Sequence, residues 1–212
     1  MDDDRRSTSS EPQYVGLRMT AADYAALPDD DFKYELIDGV VVMSPSPTFG
    51  HQDIAGEIES QIRAFLRRHP IGRVVRETDV TLDPIRVYRP DLVFLSNERV
   101  PRRDERIRAI PNVIVEVLSP ASRAMDLSTK RDDYERFGVS EYWIVDPDAG
   151  TLTFLRLPEA SEVKSLRTRV AKGARPVKGR YQTVNVKGGK FRSAAIPGFT
   201  LDIAAVKLAM SG

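Results

Sequence analysis

Two apolar segments, each interrupted by one carboxylate, restrict what this chain can fold into. Residues 89–95 carry Asp91, and residues 113–120 carry Glu116. Runs rich in Val, Leu, Ile and Phe that end in turn-forming residues are typical of buried β-strands. An ionised carboxylate in such a strand costs several kcal/mol unless a proton, a counter-charge or a metal ion compensates it. The two acids therefore need a compensating partner.

A divalent cation would satisfy both acids if the two strands are neighbours in one sheet. Neighbouring strands lie about 4.8 Å apart, so carboxylates at the same edge and face converge. Two such charges about 4 Å apart repel by roughly 4 kcal/mol at an effective dielectric constant near 20, and a bound cation converts this repulsion into attraction. Ligation by oxygen alone favours magnesium or manganese with waters and a substrate phosphate. The pair of Asp91 and Glu116 thus indicates phosphoryl-transfer chemistry.

The composition excludes several other kinds of site. The 212 residues include no cysteine and two histidines, which excludes disulfides, thiolate zinc sites, thiol catalysis and a histidine-rich metal site. Basic and acidic residues number 32 and 31, so no overall charge draws the chain to nucleic acid or to a membrane. The sequence shows neither a signal peptide nor an apolar run of membrane-spanning length, and we predict a soluble cytoplasmic protein.

We predict a disordered tail over residues 1–16 and a single domain over residues 17–208. The tail is acidic and then serine-rich, and it lacks the apolar residues for a core. In the domain, a capping box at Thr20 predicts a short N-terminal helix, and Asp38-Gly39 predicts a hairpin over residues 32–43. Helical spacing of apolar residues predicts a long helix from residue 50 to 69, and partial alternation predicts one strand over residues 73–82. Further strands are predicted at 141–146, 151–157 and 194–202.

The second helical pattern, over residues 126–137, places a lysine on its apolar side. Lys130 is spaced to share a face with Leu127 and Tyr134. A lysine in an apolar stripe is often a stem whose ammonium group reaches water. Because this helix directly follows the Glu116 strand, it can also bring the ammonium group to the carboxylates.

Three further polar residues each allow a structural and a functional interpretation. Glu35 lies on the first strand of the hairpin and is either an exposed edge-strand residue or a site acid. His51 lies near the start of the long helix on its apolar face, where a hydrogen-bonded residue at the core edge is more common than a ligand. Asp126 is placed either as the N-cap of the second helix or as a site residue.

The C-terminal region is locally basic. Lys and Arg residues between positions 164 and 192 meet only Glu162 as an opposing charge. Such a run is either a solvated loop or a surface for contacts with a nucleic-acid backbone. The candidates for these backbone contacts are Arg167, Arg169, Lys172, Arg175, Lys178 and Arg180.

The order of these motifs resembles the Uma-two family of restriction endonucleases in the PD-(D/E)XK nuclease superfamily. The likeness covers about residues 17–208 and is carried by residues 34–39, His51, 90–91, 116–120, Asp126, Lys130 and 141–146. It implies an α/β (α+β) fold with a restriction-endonuclease-like αβββαβ core, a mixed sheet flanked by helices. The N-terminal helix, the hairpin and extra C-terminal strands would be added to this core.

The resemblance also implies roles for the acids and the lysine. Asp91 resembles the metal-bridging aspartate of the Pro-Asp motif, and Glu116 resembles the acidic member of the (D/E)-x-K motif. The main-chain carbonyl of Val117 would be a further metal ligand. Leu118 stands where the motif has its lysine, and Lys130 on the following helix matches a displaced lysine.

The predicted function is that of an endonuclease, dependent on magnesium or manganese, that hydrolyses phosphodiester bonds of nucleic acid, with DNA the expected substrate. Glu35 matches the family's upstream glutamate, a place that Glu57 or Glu59 could also take. His51 and Asp126 would contact the residues that bind the metal ion, and not the metal ion itself. A homodimer follows from superfamily analogy alone.

The same residues allow two alternative interpretations. The departure at Leu118 favours a nucleic-acid-binding module that has kept the nuclease fold and lost turnover. Alternatively, the buried charges form a structural ion network without a metal ion.

Overall fold

In the computed structural model, which describes residues 11–44, 46–158, 180–186 and 188–211, a mixed sheet forms the centre of the domain. The elements in chain order are α1 (Ala21–Ala25), β1 (Tyr34–Ile37), β2 (Val40–Met43), α2 (Phe49–Leu66), β3 (Gly72–Arg76), β4 (Val80–Asp83), β5 (Arg86–Tyr88), β6 (Leu92–Ser96), β7 (Val113–Val117), α3 (Arg123–Met125), a π-helical turn (Asp126–Lys130), α4 (Arg131–Phe137), β8 (Glu141–Asp146), β9 (Thr151–Arg156), β10 (Gln182–Thr183), β11 (Lys190–Arg192), β12 (Thr200–Asp202) and α5 (Ile203–Ala209).

The central sheet has the strand order β10-β9-β8-β7-β6-β3. Strands β7 and β8 are parallel, and the other neighbouring pairs are antiparallel. A parallel pair needs a crossover connection, which the helical segment from α3 to α4 supplies. The sequence α2, β3, β6, β7, α3–α4, β8 is the predicted αβββαβ core, and the fold class is confirmed.

The side chains of β7 alternate between two apolar clusters. Val113, Val115 and Val117 pack in the cluster that contains α2 and α5, whereas Ile114 packs in the cluster that contains α4. Glu116 shares the α4 face, since side chains two residues apart point to the same side of a strand. The strand is buried throughout because helices cover both of its faces.

A second sheet has the strand order β2-β1-β5-β4 and contains the predicted hairpin. Asp38 and Gly39 both have positive φ, as a two-residue turn between strands requires. The prediction of one strand over residues 73–82 is wrong, because β3 and β4 belong to different sheets. The chain changes sheets near Glu77, which has a φ of 43°. Strand β5 completes this sheet and was absent from the prediction.

Some of the sequence predictions concern residues that the structure does not describe. Arg167, Arg169, Lys172, Arg175 and Lys178 lie in the undescribed range 159–179, and most of the predicted tail lies in the undescribed range 1–10. Arg180 is described and exposed. The division into a tail and one domain stays a prediction. Gly16, at the end of the predicted tail, is bonded to the domain, because its N–H donates to the carbonyl of Val41 in β2 at 2.8 Å. Within the described residues, no helix combines the length and apolar character needed to cross a membrane.

Gly72 in β3 lies close against the backbone and side chains of β6. A Cβ atom at Gly72 would lie 2.2 Å from the carbonyl oxygen of Leu95 and 2.7 Å from the Phe94 ring. Gly72→Ala is therefore expected to lower the free energy of unfolding by about 3 kcal/mol, measured by urea unfolding. The control is Gly56→Ala in α2, where the nearest atom belongs to the Arg76 side chain at 3.8 Å and alanine is expected to stabilise by about 0.5–1 kcal/mol. Equal effects of both variants would contradict this account.

Candidate active site

The carboxylates of Asp91 and Glu116 meet at one end of the β6–β7 pair. Leu92 pairs with Val115, so Asp91 just before β6 lies beside Glu116 in β7. The main-chain N–H of Asp91 donates to Glu116 Oε2 at 3.3 Å, and the N–H of Val117 donates to Asp91 Oδ2 at 2.6 Å. The two segments that the sequence singled out are neighbours, and each backbone orients the acid of the other.

Lys130 reaches this pair from the π-helical turn. Its Nζ lies 2.9 Å from Glu35 Oε1, 3.2 Å from Glu116 Oε1 and 3.3 Å from Asp126 Oδ1, and 6% of its side chain is exposed. Burial alone would lower the pKa of Lys130, but the three carboxylates outweigh burial and hold this pKa well above its ordinary value. The side chain is therefore a charged ammonium group in a buried position.

The helical segment differs from the prediction at its start. Asp126 is not an N-cap, since the helical segment already begins at α3, and both Asp126 and Lys130 are buried. The prediction that Leu127 lies on the buried face is wrong, because 41% of Leu127 is exposed. A π-turn spreads five residues over about one turn, so the buried face here is formed by residues 126 and 130 instead of 127.

Glu35 is an interior residue and not an exposed edge residue. Its strand, β1, lies between β2 and β5, and 8% of its side chain is exposed. Its Oε1 also accepts a hydrogen bond from the main-chain N–H of Arg89 at 2.7 Å. Glu57 and Glu59 are engaged on α2 instead, with Gln61 and Arg63 respectively. Of these three glutamates, Glu35 is the one that contacts Lys130.

His51 contacts the outer side of Asp91. Its Nε2 lies 2.8 Å from Asp91 Oδ1, and 13% of the imidazole side chain is exposed. Thr48 caps α2 and thereby starts the helix one turn before this histidine. Burial lowers the pKa of His51, but the hydrogen bond and the charge of Asp91 more than compensate, so the pKa is raised.

One cavity of about 520 Å³ joins these groups. It is lined by Glu35, His51, Asp91, Glu116, Val117, Asp126 and Lys130, together with further residues of β2, the loop before α2 and α5. The sequence candidates for the acids, the lysine and their supporting residues thus lie around one space. Their chemical roles stay predictions.

Comparisons with known proteins place this chain in a family. The profile of the Uma2 family, described as "Putative restriction endonuclease", matches residues 21–173. The chain belongs to the Uma2 family. Family and fold together suggest a restriction-endonuclease-like nuclease, and hence a hydrolase.

A solved structure supports the fold of this Uma2 chain. It is titled as a putative nuclease belonging to DUF820 from Anabaena variabilis ATCC 29413. The two chains superpose with a TM-score of 0.69 at 19% identity, over 91% of this chain and 99% of the other. At that identity the likeness shows the fold alone. No curated protein matches the sequence.

Two residues that contact the site of this Uma2 chain, Tyr134 and Glu77, were not predicted from the sequence. The hydroxyl of Tyr134 donates to Glu116 Oε1 at 3.0 Å, and the helical spacing of Tyr134 from Lys130 is a signal that could have found it. Glu77 donates its main-chain N–H to the carbonyl of Asp91 at 3.2 Å, while Lys33 and Gln52 both donate to its carboxylate. Nothing in the sequence marked Glu77, because a positive φ outside glycine has no reliable pattern.

The charges of this Uma2 site suit a cation. The carboxylates of Glu35, Asp91, Glu116 and Asp126 line the cavity together with Lys130, and those of Glu35, Glu116 and Asp126 lie within 3.3 Å of its ammonium group. Asp126 Oδ1 is buried and has no hydrogen-bond partner among the described residues, since Lys130 is near it without hydrogen-bond geometry. Burial first, and then the neighbouring acids, raise the pKa of Glu116 against the lowering effect of Lys130.

The oxygen ligands at this site fit magnesium or manganese if two carboxylates bind the ion and other ligands complete its coordination. Among the described residues, no group of three or more His, Asp or Glu side chains is arranged to hold a metal ion. Magnesium usually keeps several waters and takes one or two carboxylates with substrate phosphate, so the pair of Asp91 and Glu116 is sufficient for it. The excess of negative charge beside this pair is the observation that supports the fit.

Proposed function

We propose that this chain is a magnesium- or manganese-dependent nuclease that hydrolyses phosphodiester bonds of DNA. The observation that carries the proposal is the position of Lys130. The ammonium group comes from the helical segment after β7 and lies 3.2 Å from Glu116, whose carboxylate accepts a hydrogen bond from the main-chain N–H of Asp91. This arrangement places a lysine next to the acid pair although Leu118 replaces the lysine within the strand.

In this proposal Asp91, Glu116 and the carbonyl oxygen of Val117 would hold the cation. When bound, the cation would supply Lewis acidity toward the phosphodiester and its attacking water. Asp91 is held in place for this task by His51 and by the N–H of Val117. Such outer partners orient a ligand and increase its basicity.

Lys130 would stabilise the negative charge that develops on the phosphoryl oxygens. A fixed cation in a water-poor cavity stabilises such charge more than it would in bulk water. Glu35 and Tyr134 limit the movement of the lysine and of Glu116, respectively, so little reorganisation is needed during the reaction. Glu35 would in addition accept a hydrogen bond from the attacking water.

The test is a cleavage assay with the purified full chain. Wild type, Asp91→Ala and Lys130→Ala are incubated with single- and double-stranded DNA in magnesium, in manganese and in EDTA. Of these three proteins, only wild type is expected to show metal-dependent cleavage. Exposed Asp132, whose only ion pair among the described residues is with Arg131, provides the control Asp132→Ala, which should cleave like wild type. Equal nicking by all four proteins would indicate a contaminant and reject the proposal.

A second candidate function is a nucleic-acid-binding module without turnover. Leu118 favours it, because this residue is buried in the α4-side apolar cluster where the motif calls for a lysine. It predicts salt-dependent binding of DNA and no cleavage in either metal. The same assay, followed by a binding measurement on the same samples, separates the two functions.

A further inference from the structure

Several exposed apolar side chains lie on, or next to, the segments that line the active-site cavity. Val42 and Met43 line the cavity and are 36% and 46% exposed. Phe49 is 88% exposed, and Leu208 in α5 is 75% exposed beside two cavity-lining residues. We call Val42, Met43, Phe49 and Leu208 the apolar rim. Exposed apolar groups next to a cavity are a feature of ligand-binding grooves.

Phe49 is the most exposed member of the apolar rim, and it lies between residues that line the cavity. It is the first residue of α2, and its two chain neighbours, Thr48 and Gly50, both line the cavity. His51 follows two residues later and contacts Asp91 at 2.8 Å. A Cβ atom built at Gly50 meets no atom of the described residues within 4 Å, so in this part of the chain the surface next to the ring is open. A flat molecule therefore has access to the ring.

The cations at the same mouth are already paired. Lys33 donates to Glu77, and Arg89 donates to Asp79 at 2.8 Å. A double helix presents mainly phosphates at its surface, and its base faces are stacked inside. The described mouth of the cavity thus combines an open aromatic ring with neutralised cations, which suits exposed base faces better than a row of phosphates.

We propose that the apolar rim binds an unpaired nucleotide, with the base stacked on Phe49 while its phosphodiester lies in the cavity. This inference rests on the proposed function and specifies its substrate as single-stranded nucleic acid or an unpaired segment. A single strand carries both features that the site requires, a phosphodiester and free π-faces. Aromatic stacking of this kind tolerates any base, so no sequence preference is expected from Phe49.

The test measures binding separately from cleavage. All proteins carry Asp91→Asn, which slows turnover of the probe enough for a binding measurement and removes one negative charge from the cavity. Fluorescence anisotropy with a labelled thymidine oligonucleotide of about 15 residues, in magnesium, compares Phe49 with Phe49→Ala. Loss of the ring is expected to weaken binding about 5- to 100-fold. Ile85→Ala, at a 40% exposed position in the turn before β5, is the control and should bind unchanged.

A spectroscopic arm reports on stacking itself. The chain has one tryptophan, Trp143, which is 1% exposed. In Phe49→Trp, quenching of the new exposed indole by the oligonucleotide is expected, together with wild-type affinity. Duplex of the same length should bind equally well with and without the ring of Phe49.

Three outcomes would overturn the inference. These are unchanged oligonucleotide binding by Phe49→Ala, absence of quenching in Phe49→Trp, or a change in mass on sedimentation showing that the apolar rim joins two copies of the chain. Failure of the proposed function looks different. In that case wild type cleaves nothing in either metal, while the stacking signal at residue 49 persists.

Discussion

Replacing Lys130 with methionine is expected to lower the free energy of unfolding by about 3–5 kcal/mol. The methylene stem is kept, but the ammonium group between Glu35, Glu116 and Asp126 is lost. Three buried carboxylates then lack their counter-charge, which is the costly way to break a buried ion cluster. Urea unfolding in EDTA, compared with Lys207→Met at an exposed position in α5, measures the effect.

The loss in Lys130→Met is expected to depend on pH. Burial already raises the pKa of Glu116 and of Asp126, and the variant removes the ammonium group that lowers them. A carboxyl with a raised pKa in the folded state binds more protons there than in the unfolded state. Stability then falls as pH rises from about 4 through the folded-state pKa. The loss should be smaller near about pH 5 than near about pH 8, whereas a pH-independent loss would contradict this explanation.

Substitution of the whole charged cluster distinguishes a catalytic role from a purely structural one. If Glu35, Glu116, Asp126 and Lys130 form only an ion network, replacing all four with neutral residues of similar size should leave stability almost unchanged. Cleavage should also survive in that variant if the network has no other task. For the proposed nuclease, the neutral variant folds but has no metal-dependent activity, and calorimetry detects no manganese binding.

Asp91→Asn is expected to reduce DNA cleavage on the order of 10³-fold, corresponding to about 4 kcal/mol of lost charge stabilisation. The amide preserves the geometry, because its oxygen can accept the N–H of Val117 and its NH₂ group can donate to His51 Nε2. The fold should therefore be retained while the negative charge is lost. Single-turnover cleavage rates and manganese calorimetry measure the two consequences.

A graded comparison with His51 makes this prediction specific. His51→Gln removes the imidazole next to Asp91 but leaves the carboxylate, and such outer partners typically account for 10- to 100-fold in metal affinity or activity. The expected order of cleavage is wild type, then His51→Gln, then Asp91→Asn. Equal activity of Asp91→Asn and wild type would remove Asp91 from the chemistry.

Elements with a strong local pattern were predictable from the sequence. Strands β6 and β7 follow from their apolar runs, the β1–β2 hairpin from Asp38-Gly39, and α2 from helical spacing. These features depend on interactions between residues close in the chain, so a single sequence displays them. The anomaly of a lysine on an apolar helical face likewise pointed to Lys130 before its partners were known.

The contacts between segments that are far apart in the chain could not be predicted from local sequence patterns. Strand β5 covers Glu35 from about 50 residues away and makes β1 an interior strand. The change of sheet near Glu77 and the π-turn that exposes Leu127 are backbone departures without a sequence signature. Tyr134 became a site residue only when its helix packed on β7.

The sequence by itself determined which side chains are chemically out of place: acids in apolar strands and an amine in an apolar stripe. The tertiary structure decided that Glu35, Glu116, Asp126 and Lys130 share one cavity with Asp91 and His51. The physical reason is that burying a charge costs free energy, and a charged residue within an apolar run of the sequence already shows where that cost arises. The compensation for that cost comes from partners up to 95 residues apart, such as Glu35 and Lys130, whose approach only packing specifies.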